Sequence, residues 1–162
     1  MANRDYIDFQ NRTQPLAFLI TFRCYGTWLH EEERGSVDRR NYNRYGTAGM
    51  PANKKIFDEE RIAVKGSPVR LTSAQRRIVE LAISEVCHHR KYLLHAVNAR
   101  SNHVHSVVSA SCGPERVMNS FKAYATRKLR EANLVDKDIN VWARHGSTPY
   151  LWTEEDVRGA ID

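Results

Sequence analysis

Residues 92–110 read YLLHAVNARSNHVHSVVSA, two apolar β segments joined by a short turn through Arg100, Ser101 and Asn102. A strand repeats every two residues, so His103 and His105 share one face of the second segment, close enough together to hold a single metal ion. Neutral imidazole is the commonest protein metal ligand, and Mg²⁺ or Mn²⁺ can complete its coordination with water or phosphate oxygens. Two packed or hydrogen-bonded histidines are the plainer reading of the same spacing, so the surroundings must decide.

Upstream, residues 16–24, LAFLITFRC, place Leu16, Phe18, Ile20, Phe22 and Cys24 on one side of a strand. The other side starts with Ala17 and Leu19 and turns polar at Thr21 and Arg23. Between the β segments, Thr72 to Arg90 predicts a helix, with Thr72 and Gln75 in capping-box positions and Ile78, Val79, Ala82, Ile83 and Val86 at helical spacing. Downstream, Gly113 and Pro114 break the chain and start a second helix, PERVMNSFKAYATRKLREANL. The closing stretch holds Val141, Trp142, Tyr150, Leu151 and Trp152 in short elements that periodicity alone does not define.

The second helix buries a stripe of Val117, Met118, Phe121, Ala125, Leu129 and Ala132. Tyr124 lies about 80° from the stripe's centre, where a ring can pack while its hydroxyl faces a cleft. An amphipathic boundary tyrosine is its bland reading. Arg116 to Arg130 carry five basic side chains and no acidic one. Lys122, Arg127 and Lys128 are therefore candidate DNA-phosphate contacts, with solvated helix cations as the alternative. An ion held by His103 and His105 would stabilise charge on a phosphodiester while Tyr124 attacks phosphorus.

The whole chain of 162 residues has 27% charged and 41% hydrophobic residues and a net charge of +6, as expected for one domain, residues 1–162, with a polyanionic partner. Residues 25–55 form a long basic loop in which Arg39, Arg40 and Arg44 are candidate DNA contacts with Tyr42 and Tyr45 interleaved. Cys24, Cys87 and Cys112, an odd number without CxxC spacing, favour a reducing cytoplasm over a secreted disulfide framework. No segment approaches the roughly 20 apolar residues of a membrane helix, and no membrane partner is expected.

Four blocks together resemble the IS200-like, single-tyrosine HUH transposases, especially the REP-associated tyrosine transposase branch. They are AFLITFRCYGTWLHEEERGSVDRRNYNRYG at 17–46, NHVHSVV at 102–108, FKAYATRKL at 121–129 and YLWTEEDVRGAI at 150–161. The resemblance implies an α+β fold, an antiparallel β-sheet with helices packed against it in the ferredoxin-like or RRM-like HUH nuclease architecture. It further implies His103 and His105 as ligands of Mg²⁺ or Mn²⁺, and Tyr124 as the nucleophile that forms a 5′-phosphotyrosine and leaves a free 3′-hydroxyl. The implied substrate is single-stranded DNA beside an imperfect hairpin or palindromic repeat. The family includes dimers with shared active sites, so a homodimer is one expectation and a monomer the other. Related transposases often place a polar third ligand one turn beyond the tyrosine. That position here is Lys128, a poor ligand while protonated, which leaves Glu131, His95 or a loop residue to complete the set.

Two other functions compete. Lys128 in place of a ligand favours a catalytically silent protein that still binds hairpin or single-stranded DNA. Alternatively His103 and His105 join Cys87, Cys112 or His95 in a structural zinc site, for which the spacings are scattered.

Overall fold

The computed structural model describes residues 14–27 and 68–162. The alternating run predicted at 16–24 forms β1 (Ala17–Cys24). The hairpin predicted downstream forms β2 (Leu93–Ala99) and β3 (His103–Ser109), and the closing stretch supplies β4 (Trp142–Ser147) and β5 (Tyr150–Leu151). Three helices are described: α1 (Ser73–Arg90), α2 (Pro114–Glu131) and α3 (Glu154–Ile161).

Every strand pairing is antiparallel and the sheet order is β2-β3-β1-β4, with β5 pairing the first residues of β1. β1 is therefore central. Its alternation divides the molecule: Phe18, Ile20, Phe22 and Cys24 are buried on one face with Val104 and Val108 of β3. Val79, Ala82, Ile83, Val86 and Cys87 of α1 and Val117, Met118, Phe121, Ala125 and Leu129 of α2 close this main core. On the opposite face a smaller cluster of Ala17, Val107 and Leu151 receives Leu19, Ala96, and Val157 and Ala160 of α3. The result is the expected α+β arrangement, an antiparallel sheet with helices packed against it.

Local chemistry fixes the helix ends. Thr72 and Gln75 form the predicted capping box, and α1 stops at Lys91, whose left-handed φ of 59° turns the chain into β2. α3 uses the same device with Thr153 and Asp156, and its first turn holds Glu154, Glu155 and Asp156 against the positive helix end. α2 starts on Pro114 and ends at Glu131, three residues short of the predicted Leu134, because Asn133 adopts a left-handed φ of 55°. α2 is also tied to β4: Trp142 Nε1 donates to the Lys122 carbonyl and to Thr126 Oγ1, while the Trp142 ring stands edge-on to Phe22 at 4.9 Å.

No helix among the described residues is long and apolar enough to cross a membrane. The basic loop expected at 25–55 lies outside the described residues beyond Thr27, and so do its candidate contacts Arg39, Arg40 and Arg44.

Gly146 of β4 faces Phe22 in the β1–β4 pairing, and a Cβ there would press on the Thr21 carbonyl oxygen and on Met118 Sδ. The Thr21 atom is a backbone oxygen and the Met118 side chain is buried in the core, so neither yields cheaply. Gly146→Ala is expected to lower stability by about 1–3 kcal/mol in urea unfolding, the usual cost of overpacking. An unchanged midpoint would show that the strand can shift away.

Candidate functional site

The register of β1 against β3 builds the site. Thr21 pairs with His105 and Arg23 with His103, so both imidazoles point away from α1 and α2, to the side where α3 packs. Their ring centroids are 4.5 Å apart with the planes near perpendicular at 77°. The predicted sharing of one face is therefore realised, and the pair lies beyond the end of the small Leu19–Val107 cluster.

Each imidazole is held through Nδ1. His103 Nδ1 lies 2.6 Å from Asn102 Oδ1; an amide oxygen only accepts, so His103 carries its proton on Nδ1 and its lone pair on Nε2. His105 Nδ1 lies 2.8 Å from Thr21 Oγ1, a buried hydroxyl that accepts from Nδ1–H in the tautomer whose lone pair is on Nε2. Asn102 is itself fixed by its turn: its carbonyl accepts from the backbone N–H of Cys24 at 2.9 Å and from Thr27 Oγ1 at 3.1 Å. The turn between β2 and β3 thus orients a histidine as well as reversing the chain.

Packing of the ring against the sheet lowers the pKa of His105 below the ordinary 6.5, and the Arg23 and Arg100 guanidiniums add to the shift. Arg23, Arg100, Asn102 and Thr21 were not singled out by the sequence pattern as site residues. Strand alternation carries the signal for two of them, since Thr21 and Arg23 share the polar end of β1. Arg100 and His105 line a cleft of about 500 Å³ that is also lined by the end of α3, from Gly159 to Ile161, and by Asp162 after it.

The other candidates do not converge on the pair. Tyr124 sits at the edge of the main core on α2, as its angular position predicted, but α2 covers the opposite face of the sheet. The sheet therefore stands between Tyr124 and the imidazoles of the same chain. Arg127 stacks over the Tyr124 ring at 4.5 Å. Glu131, the candidate third ligand, lies on the same wrong side and pairs with Arg127 at 3.9 Å and Lys128 at 3.7 Å. Lys128 also reaches Glu85 of α1 at 3.5 Å. Lys122 turns its ammonium onto the carbonyls of Ala143, Arg144 and His145 at 2.9, 3.3 and 3.4 Å, which ties α2 to β4.

The scattered zinc set is not assembled. Cys87 is in the helical core with its thiol pushed up to about 11 by burial, and Cys24 is buried with its thiol pushed up to about 12. Cys112 instead meets the Tyr92 hydroxyl at 3.4 Å. His95 bonds Ser109 at 2.8 Å, four residues and about 13 Å along β3 from His105. Among the described residues no group of three or more His, Cys, Asp or Glu side chains is placed to hold a metal ion. Two imidazoles on one face do fit an open two-ligand site, in which a hard divalent ion keeps water and phosphate oxygens for its remaining positions.

A depressed histidine has a defined pH signature. His105 favours its neutral form in the fold, so its contribution to stability is complete above the unfolded value of about 6.5 and is lost as pH falls through the lower folded value. In an NMR titration, His105 should have a midpoint below the ordinary histidine range, and Arg23→Gln should move that midpoint upward. A midpoint that stays put in the variant would remove Arg23 from the site's electrostatics.

Residues 64–154, more than half of the chain, match the family model described as "Transposase IS200 like". Among solved structures, the chain is similar to a REP-associated tyrosine transposase bound to a REP hairpin, with a TM-score of 0.50 and 13% identity over 91% of this chain. It spans 63% of that protein's chain, and at this identity the likeness concerns the fold. No curated protein sequence matches. With the family's match running from before α1 through the histidine pair and α2 to the start of α3, the protein belongs to the IS200-like transposases.

Proposed function

We propose that the protein is a metal-dependent HUH endonuclease and strand transferase for single-stranded DNA, of the REP-associated tyrosine transposase branch. On this reading residues 1–162 act as one domain and the DNA carries an imperfect hairpin or palindromic repeat beside the cleavage point. The observation that supports it most is the side-by-side placement of His103 and His105, each oriented through Nδ1 by a neighbouring oxygen. The structural neighbour bound to a REP hairpin supports the substrate class.

His103 and His105 are the residues that would hold Mg²⁺ or Mn²⁺. Such an ion, when bound, supplies positive charge against the oxygens of the phosphate under attack. Arg23 and Arg100, whose charges reach His105, would add fixed positive charge beside a phosphate bound there, while Asn102 and Thr21 would orient the imidazoles through Nδ1. In the chemical step a tyrosine oxygen, having lost its proton to solvent, forms a bond to phosphorus. The bond from phosphorus to the 3′-oxygen breaks, and that oxygen takes up a proton to leave a free 3′-hydroxyl. The protein is left joined to the 5′-phosphate, and the reverse attack rejoins strands.

On this reading Tyr124 serves as this nucleophile from a second copy, since α2 packs on the face of the sheet opposite to its own histidines. That placement motivates the homodimer reading. It equally motivates the second reading, a protein that binds hairpin DNA without cutting it, in which Tyr124 is a packing residue beneath Arg127.

Incubation with a hairpin-flanked single strand and Mn²⁺ should give a covalent adduct on a denaturing gel, absent in His103→Ala and His105→Ala. Mass spectrometry of the adduct peptide identifies the tyrosine. If Tyr124 acts across a dimer, Tyr124→Phe and His103→Ala are each inactive alone and recover adduct when mixed. An adduct persisting in Tyr124→Phe assigns the nucleophile to another tyrosine, and salt-sensitive binding with no adduct under any metal selects the silent reading.

Thr21→Val and Asn102→Ala should each weaken Mn²⁺ binding by about 10–100-fold, the usual cost of losing a partner that orients a ligand. Calorimetric titration measures this directly. Affinities equal to that of the parent would mean that the imidazoles orient themselves.

A further inference from the structure

On the helix side of the sheet, a groove of about 780 Å³ runs between α2 and β4. Four of its lining residues, Lys122, Arg127, Arg130 and Arg144, are basic, and Glu131 is the acidic one. Lys122 is committed to the β4 carbonyls, which leaves three guanidiniums to define the groove's chemistry. Arg144 lines the groove from β4, beside Ala143, in the stretch where the β1–β4 register shifts. Arg127 lies over the Tyr124 ring at 4.5 Å, and Arg130 Nη2 reaches the Ile139 carbonyl at 3.4 Å, so two of the three are partly organised before any ligand arrives. The Arg127–Glu131 pair is exposed on both sides and long, and such a pair gives way readily to a phosphate.

Planar guanidinium forks spaced along a helix and the facing strand suit successive phosphates of a nucleic-acid backbone better than one small anion. Trp142 is buried and both its polar contacts are internal, so the groove offers charge without a stacking platform for bases. It would hold backbone irrespective of sequence. β4 ends the described sheet on this side, with β1 between it and the histidine strand β3. Two strand spacings, about 10 Å, therefore separate the β4 edge laterally from His103 and His105. A strand leaving the histidine face can turn around that edge and enter the groove.

We propose that the α2–β4 groove is an anchoring site for the phosphates of the single-stranded flank of the DNA, on the opposite side of the sheet from the histidine pair. The assignment of the flank rests on the function proposed above; the phosphate chemistry of the groove does not. Arg127, Arg130 and Arg144 are the contacting residues, and they bind without taking part in cleavage.

The test follows binding of a fluorescein-labelled DNA hairpin, with and without a single-stranded flank of about 10 nucleotides, by anisotropy across a salt series. Three proteins are compared: the parent, the triple variant R127Q/R130Q/R144Q and the charge-retaining R127K/R130K/R144K. The parent should gain affinity from the flank. Removing three single-strand phosphate contacts should lower the salt slope by about 2 and weaken flanked-hairpin binding by up to about 100-fold at 0.1 M salt. The lysine triple should recover most of the slope, which a merely destabilised protein would not. Equal slopes in all three proteins, with adduct formation by the parent intact, overturn the groove and leave the proposed function standing. A loss equal for flanked and blunt hairpins overturns the flank as occupant in favour of the duplex stem. A parent that binds neither DNA overturns both proposals.

Discussion

The pairing of β1 with β3 is the constraint on which both the core and the site depend. Phe18, Ile20 and Phe22 must be buried, and so must Val104 and Val108; antiparallel register then sends Thr21, Arg23, His103 and His105 together to the other side. A slip of one residue would expose the phenylalanines and drive imidazoles and a guanidinium into the helix-covered core, at a cost far above the net stability of a domain this size. The main core therefore specifies the site's geometry without touching it. Among the described residues, α3 is short and packs on the Leu19–Val107 end of this face rather than over the histidines.

The same division explains why α2 is basic and yet not part of the histidine site. A helix that buries Val117, Phe121, Ala125 and Leu129 on the main core carries its remaining faces to solvent or to β4. Its cations therefore answer to Glu85, Glu131 and the β4 carbonyls, or to a ligand lying on that side. Charge density along one helix is no guide to which face of a sheet it serves.

Local pattern made much of the molecule legible. The period-two runs at 17–24 and 103–109, the capping box at Thr72 and the proline at the start of α2 each have a short-range cause, and each appears where that cause puts it. The sharing of a face by His103 and His105 follows from the same period. What periodicity does not encode is the face of the sheet on which a helix docks. Tyr124 has the boundary position its helical angle predicts, yet the angle is measured against the stripe of its own helix and is silent about the histidines. Lys122 is the same case: its donors go to carbonyls of β4, a strand too short and irregular for the pattern to define. Asn102 and Thr21 were hidden for another reason, since a turn amide and a strand hydroxyl become site residues only through a register.

The cations around His105 also shape what can bind there. Burial, with Arg23 and Arg100 adding to it, favours the neutral imidazole of His105, which is the form that can ligate a metal. The same two charges repel that ion once it arrives. With two neutral ligands and no carboxylate joining them among the described residues, the opposing charge in the proposed complex must come from the DNA phosphate itself. Phosphate and ion then relieve each other's unfavourable electrostatics, and by linkage each strengthens the other's binding. A site with a third acidic ligand would hold its ion in the absence of substrate; in the proposed complex, with guanidiniums in that vicinity, occupancy by the ion and by DNA would rise together.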